Sequence, residues 1–355
     1  MKTAALILIF FVQTSFAQNP VLSSQSSSSA ASNVFSSVRI RLFKDLEQFP
    51  VVYGSKMKSI SDNMVILEGQ KLTFQNKILS TKNFVVKKPN HKYDLIAVVD
   101  FNTYVAGVVS KEMPLSWPLE ALKAQAVIAR SYALTKIQER QNKIFHLDND
   151  QMDQVFAFTN SEKAKKAVVL TDQVILKDSK NRILKAFYHS DCGGQTVPAS
   201  QIWKGAYDAG TATDPWCQQR KSNEWTYELS KDDFYQRLRL SERPEDKLEV
   251  SEDFKKRIQS FKVANAFFPV QKLREIFGFS EIRNSPLTFE ENQNLVVFKG
   301  KGYGHGAGLC QWGTLAQVKI GRSYLQVLEH YYPNANITNS AMKLSQVMMK
   351  DLVFN

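Results

Sequence analysis

Between Tyr104 and Leu134 the chain reads YVAGVVSKEMPLSWPLEALKAQAVIARSYAL, and two prolines in this run restrict what it can fold into. Pro114 disfavours helical backbone at Met113. Pro118 suits a first helical position, where its missing N–H is an orphan in any case. Ser116 is placed to cap that helix, and Glu120 falls in its first turn. Leu119, Leu122, Ala126, Ala129, Ala133 and Ile137 recur at three-four spacing, so a long helix should follow Pro118, with small residues that let another element approach closely. Glu112 is left on the connection before the helix, crowded by Val108, Val109, Met113, Leu115 and Trp117. A carboxyl among apolar neighbours is desolvated and its pKa rises. Such a group can donate a proton and later take one back. The plainer reading is a glutamate that favours the positive end of the helix it precedes.

The rest of the chain reads as α+β, with antiparallel strands and hairpins and separate helices. Residues 1–17 have the form of a secretory signal: Lys2, the apolar run Ala4 to Val12, then Ser15-Phe16-Ala17 as a cleavage site. That run is too short to span a bilayer. Residues 18–37 form a Ser-rich linker, including Ser26 to Ser29, without enough apolar surface to fold alone. Residues 38–88 are β-rich: VRIRLF, MVILEG and KLTFQ look like strands, with turns at Asp62-Asn63 and Gly69. Tyr93 to Asp100 is a further strand. Ala167 to Asp178 and Arg182 to Ser190 look like a hairpin around Ser179-Lys180-Asn181, which delivers His189 and Ser190 at a strand end. A charged stretch at about 225–287 carries short helices in KDDFYQRL and PVQKLREIFG. Asn294 to Gly300 forms a strand, and SYLQVLEHYY a last helix.

Three motifs in order carry a family resemblance. The first is the glutamate run, with Glu112-Met113-Pro114, Trp117-Pro118, Lys123 to Ala126 and Arg130 to Ala133. The second is FYHSDCGGQT, Phe187 to Thr196, followed by Trp203. The third is GKGYGHGAGLCQWG, Gly300 to Gly313, followed by Ser323 to Pro333. Together they resemble the SpoIID/LytB family, that is, stage II sporulation protein D and the amidase enhancer, over about Tyr93 to Ile337. The region 89–345 is then the catalytic part. The resemblance implies a peptidoglycan lytic transglycosylase that cleaves glycan strands, preferably those stripped of stem peptides, to 1,6-anhydro-muramyl ends. Glu112 would be its catalytic residue, with no metal or organic cofactor needed. His189, Ser190, Gln195, His305 and Gln311 would line the glycan cleft, and Trp203 and Trp312 offer faces for sugar rings. Arg130 either orients a carboxylate or caps nearby carbonyls. The rival implied role is an amidase enhancer that binds cell wall and activates an N-acetylmuramoyl-L-alanine amidase without chemistry of its own.

The net charge of +12 suits an anionic polymer such as cell wall. Nucleic acid is the usual alternative, and export to the periplasm or cell envelope argues against it. Of the three cysteines, Cys192 and Cys217 fall in the loop-rich centre and are the expected disulfide, with Cys310 buried beside Leu309. A rival set holds zinc through His189, Cys192 and Cys217 or His146. Relatives that hold zinc are thought to use the loop after the long helix. Here that loop, His146 to Phe156, has no cysteine.

Overall fold

The computed structural model describes residues 37–218, 223–240, 249–252, 257–263 and 266–339. The signal and almost all of the Ser-rich linker expected before Ser37 lie outside the described residues. β1 (Ser37–Leu46), β2 (Lys56–Ser61), β3 (Met64–Glu68), β6 (Lys82–Lys87), β7 (Tyr93–Asp100) and β8 (Leu147–Asp148) make one sheet in the order β2-β3-β6-β7-β1-β8. The short strands β4 (Thr73–Phe74) and β5 (Lys77–Ile78) pair with each other beside it. All pairs in the sheet are antiparallel except β1 with β8. Alternation along β1 buries Val38 and Ile40, as period-two patterning requires.

A helix that the sequence does not advertise follows β7. α1 spans Phe101–Glu112, capped at its start by the Asp100 side chain, which accepts from Thr103 N–H. Its three valines, one glycine, Asn102 and Thr103 have poor intrinsic helix propensity. Burial of Tyr104, Val105, Val108 and Val109 stabilises it instead. The proline restriction acts at Met113, as expected, yet the helix before it reaches Glu112. Met113 is extended, at φ −128° and ψ 143°, but Glu112 is the last residue of α1 and not part of a connection.

α2 (Leu119–Glu139) is the long helix read from the sequence, with Pro118 as its N-cap residue and no side-chain cap from Ser116. Every residue from Ala124 to Leu134 is buried. A helix buried all round is a core helix and not a surface one, and its alanines let neighbours approach on every side. α1 and α3 (Glu162–Leu170) pack against it. α3 takes up Ala167 to Leu170, which alternation had assigned to a strand. Only Val174–Lys177 remains as a strand, and it pairs with Asn336–Asn339.

Ser131 and Arg130 on α2 bond to neighbouring main chain. Ser131 Oγ donates to Val127 O and accepts from Leu176 N–H. Arg130 donates to Val174 O at 3.1 Å and to Val168 O at 3.2 Å. It therefore ties α2 to α3 and the following strand. Burial pulls its pKa down to about 10, which leaves it charged at neutral pH. Arg130→Ala should lower stability by about 2–4 kcal/mol, because a cavity and lost charged hydrogen bonds combine. Urea melts check the loss.

A second cluster gathers Trp225, Phe234, Phe261, Phe277 and Phe298. It includes both helices expected in the charged stretch, Lys231–Arg237 and Val270–Phe277, with strands between them. Leu295–Lys301 is the middle strand of a three-stranded sheet, between Glu224–Ser230 and Pro286–Glu291. It runs from this aromatic cluster straight into the glycine loop. Among the described residues no helix is long and apolar enough to cross a membrane.

Candidate active site

The three motifs meet at one cleft of about 790 Å³. Its walls come from Glu112 at the end of α1, the segment Met152 to Val155, the strand Tyr188–His189 with Ser190, and the loop Tyr303 to His305 with Gln311. The strand Tyr188–His189 pairs in parallel with Leu309–Cys310, and Asp191 pairs with Tyr303. Glycine makes this close approach possible. Gly304 has φ +108°, and a Cβ there would lie 2.8 Å from the Cβ of His189.

Glu112 is half-buried. Its Oε1 accepts from Val155 N–H at 2.9 Å, and the Tyr188 hydroxyl donates to the same carboxyl. Burial is the largest influence and raises its pKa, while these two donors partly counter it. The position on α1 disposes of the plainer reading of this residue. Glu112 ends a helix, where the dipole is negative and an anion is disfavoured. The main-chain carbonyl of Glu112 accepts from Gln311 Nε2 at 3.0 Å, so the third motif fixes the first.

The other acids in the walls differ. Asp153 is buried between Lys136 at 2.6 Å and Arg140 at 3.0 Å, and takes a hydrogen bond from Tyr132. Although burial opposes it, the Asp148 N–H, Lys136 and Arg140 hold its pKa below the usual carboxylate value. Asp178 is also held low, by Arg182 and backbone N–H groups, against the opposing effect of desolvation. Of these three carboxyls, Glu112 is the one shifted toward the protonated form.

His189 and His305 both line the cleft, their rings 5.5 Å apart. Burial pulls His189 down to about 4 and His305 well below its ordinary value, so both are neutral at pH 7. His189 Nδ1 lies 3.0 Å from Ala307 O. That nitrogen therefore carries the proton, and Nε2 is left as an acceptor with no protein partner among the described residues. His305 uses its own ring nitrogens on Ala307 N–H and the Tyr188 backbone, and not on Glu112. Trp203 stacks on Phe187 at 4.0 Å and meets His305 edge-on at 4.8 Å.

Three expected binding residues lie elsewhere. Arg130 is the structural tie described above. Gln195 is folded back on its neighbours, accepting from Thr213 and donating to Thr196 O. Trp312 packs against Trp117 at 5.1 Å in the main core. The expected Cys192–Cys217 bridge is also not made: all three cysteines are buried free thiols. Cys192 donates to Asp214 and Cys217 to Asp191. The rival zinc set fails too, since neither His189 nor His146 belongs to the group these thiols form. His146 instead accepts from Arg39 N–H.

Sequence reading missed Tyr188, Tyr104 and Gln154. Tyr104 donates to Gln154 Oε1 at 3.0 Å, and Gln154 in turn contacts Tyr188 beside Glu112. Strand alternation was the available signal, because it puts Tyr188 on the same face as Ser190.

Comparison with known proteins agrees with this geometry. The family profile described as Stage II sporulation protein, SpoIID, matches residues 89–177, which hold Glu112 and α2. An uncharacterised protein of Brachyspira hyodysenteriae is 30% identical over 261 residues, covering 69% of each chain. The chain belongs to the SpoIID/LytB family. A stage II sporulation protein D of Bacillus amyloliquefaciens is 28% identical over 286 residues, 75% of this chain and 81% of that one. The amidase enhancer of Bacillus subtilis is 24% identical over 341 residues, 79% of this chain and 46% of its own length. Within the family profile lie the glutamate and its helix, whereas the other cleft wall, from Tyr188 to Gln311, is supplied by sequence beyond it.

Proposed function

We propose that this chain is an exported, cell-wall-directed lytic transglycosylase that cleaves peptidoglycan glycan strands, preferably those stripped of stem peptides, in the periplasm or cell envelope. The observation that carries the reading is the contrast within the cleft: Glu112 is pushed toward its protonated form, while Asp153 is held ionised by Lys136 and Arg140. Ordinary glycosidases use two carboxyl groups with separate roles. A lytic transglycosylase needs one, because the sugar's own C6 hydroxyl takes the place of water.

Glu112 gives its proton to the glycosidic oxygen as the bond to C1 breaks. It then takes the proton of the C6 hydroxyl as that oxygen closes on C1, and the 1,6-anhydro-muramyl end forms. The stacked Trp203–Phe187 pair supplies an apolar wall for a sugar ring.

The second reading is a non-catalytic enhancer of a cell-wall amidase, favoured by the likeness to a protein named amidase enhancer. Incubation of the purified protein with denuded glycan, followed by mass spectrometry of the products, separates the two. New anhydro-muramyl ends support the transglycosylase. Their absence, together with acceleration of an added amidase, supports the enhancer.

The pH profile carries a further expectation. The acid form of Glu112 starts the reaction, so activity falls as pH rises through its pKa. The Tyr188 hydroxyl stabilises the carboxylate. Tyr188→Phe should therefore raise the Glu112 pKa and move the alkaline limb of kcat/KM to higher pH. A limb that stays in place or moves down would show that Tyr188 does not serve this carboxyl.

A further inference from the structure

Behind the cleft, Cys192, Asp214, Cys217 and Cys310 converge. One ligand atom from each lies within 4.8 Å of all the others, and all four residues are buried. They come from separate parts of the chain: the strand end after Ser190, the short helix Pro215–Gln218 with Asp214 before it, and the start of the helix Gln311–Lys319. Cys310 Sγ and Cys217 Sγ are 3.6 Å apart. A disulfide needs about 2.0 Å. Zinc–sulfur bonds of about 2.3 Å in a tetrahedron place two sulfurs roughly 3.8 Å apart.

The surroundings are built for thiolates. Cys192 N–H donates to Cys310 Sγ at 3.3 Å, Gly313 N–H to the same sulfur at 3.3 Å, and Gly194 N–H to Cys192 Sγ at 3.4 Å. Cys310 also caps a helix start, where an anion is favoured. Asp214 is oriented from two sides, by Tyr331 Oη on Oδ2 at 2.6 Å and Cys217 N–H on Oδ1 at 2.9 Å. Such outer hydrogen bonds fix the ligands of real metal sites. Gly313 leaves room for this carboxylate, since a Cβ there would lie 1.9 Å from Asp214 Oδ2.

The geometry points to a structural zinc site in which Cys192, Cys217 and Cys310 bind as thiolates and Asp214 as a carboxylate. Three soft ligands and one hard one in a closed tetrahedral set suit Zn²⁺. On binding, the thiol protons are released to solvent and no redox step occurs. No position is left open for water, so the ion has no part in bond cleavage. It would join the segment carrying His189 and Ser190 to the one carrying Gln311, which bonds the main chain of Glu112. The site is separate from the loop His146 to Phe156.

Metal analysis of the purified full chain should give one zinc per protein. Cobalt substituted for zinc should give thiolate-to-cobalt charge-transfer absorption in the near ultraviolet and the intense visible bands of tetrahedral cobalt. Tyr331→Phe keeps all four ligands and removes one outer hydrogen bond, and should weaken metal binding about 10–100-fold. Cys310→Ser should lose the charge-transfer band in proportion to the lost thiolate. The proposal is overturned by protein that carries no zinc and binds no cobalt. It is equally overturned if thiol labelling under denaturing, non-reducing conditions finds a single free thiol, the signature of a disulfide.

Discussion

Glu112→Gln should abolish release of anhydro-muramyl products, by about 10²–10⁴-fold, the usual range for loss of an acid–base group. The same change should leave the fold intact and raise its stability at neutral pH. The sign follows from the direction of the shift. Burial raises the carboxyl pKa in the folded protein. Below its unfolded pKa the group is neutral in both states and has no effect. As pH rises past that value, ionisation is harder in the folded state and stability is lost until the folded pKa is passed. Glutamine carries no charge, and its carbonyl still accepts from Val155 N–H. Thermal melts at pH 5 and pH 7 should show the gain of the variant growing with pH. A variant that melts earlier than the parent at pH 7 would contradict the desolvated carboxyl, and one that still releases product would remove it from the chemistry.

Gly308→Ala should be among the most damaging single changes outside the main core. Gly308 has φ +70°, and an added Cβ would lie 2.0 Å from the carbonyl oxygen of Phe187 and 2.9 Å from the Tyr332 hydroxyl. The first obstacle is backbone and has no rotamer to escape into. That carbonyl also accepts from Leu309 N–H and from the Tyr332 hydroxyl. The substitution therefore pushes apart the strand pair that seats His189, and a loss of about 3–4 kcal/mol is expected. Gly321→Ala provides the control. Its φ is +91°, but nothing lies within 4 Å of the added atom, so only the backbone preference is lost, about 1–2 kcal/mol. Equal losses in urea melts would show that the contact with Phe187 carries no weight.

What could be read from the sequence divides along physical lines. The period-two strands β1, β3 and β7 and the long α2 are local patterns, and they stand where the residues put them. α1 was illegible because its helix propensity is poor and its stability comes from burial against β1, α2 and α3. Ala167 to Leu170 read as strand because a short apolar run has no period to tell helix from strand. At the site, Glu112, His189, Ser190, Trp203, His305 and Gln311 line one cleft because their motifs carry them there. Trp312 and Gln195 share those motifs but turn to the core and to their own neighbours. The thiols illustrate a different limit. A shared place in the loop-rich centre singled out a pair, whereas proximity in space gathers three with Asp214.

The glycine loop and the Tyr188 strand give the cleft an unusual place in the order of folding. Their link, from His189 to Ala307, joins residues 118 apart, and Gln311 reaches Glu112 across 199. Loops of that length close late and slowly. The helices α1 to α3, by contrast, are contiguous in sequence and can dock early. On the proposed export route, a chain still emerging would hold a formed glutamate helix with no second wall beside it. A complete cleft would arrive only with the last third of the polypeptide, and the nascent chain before that point would lack its second wall.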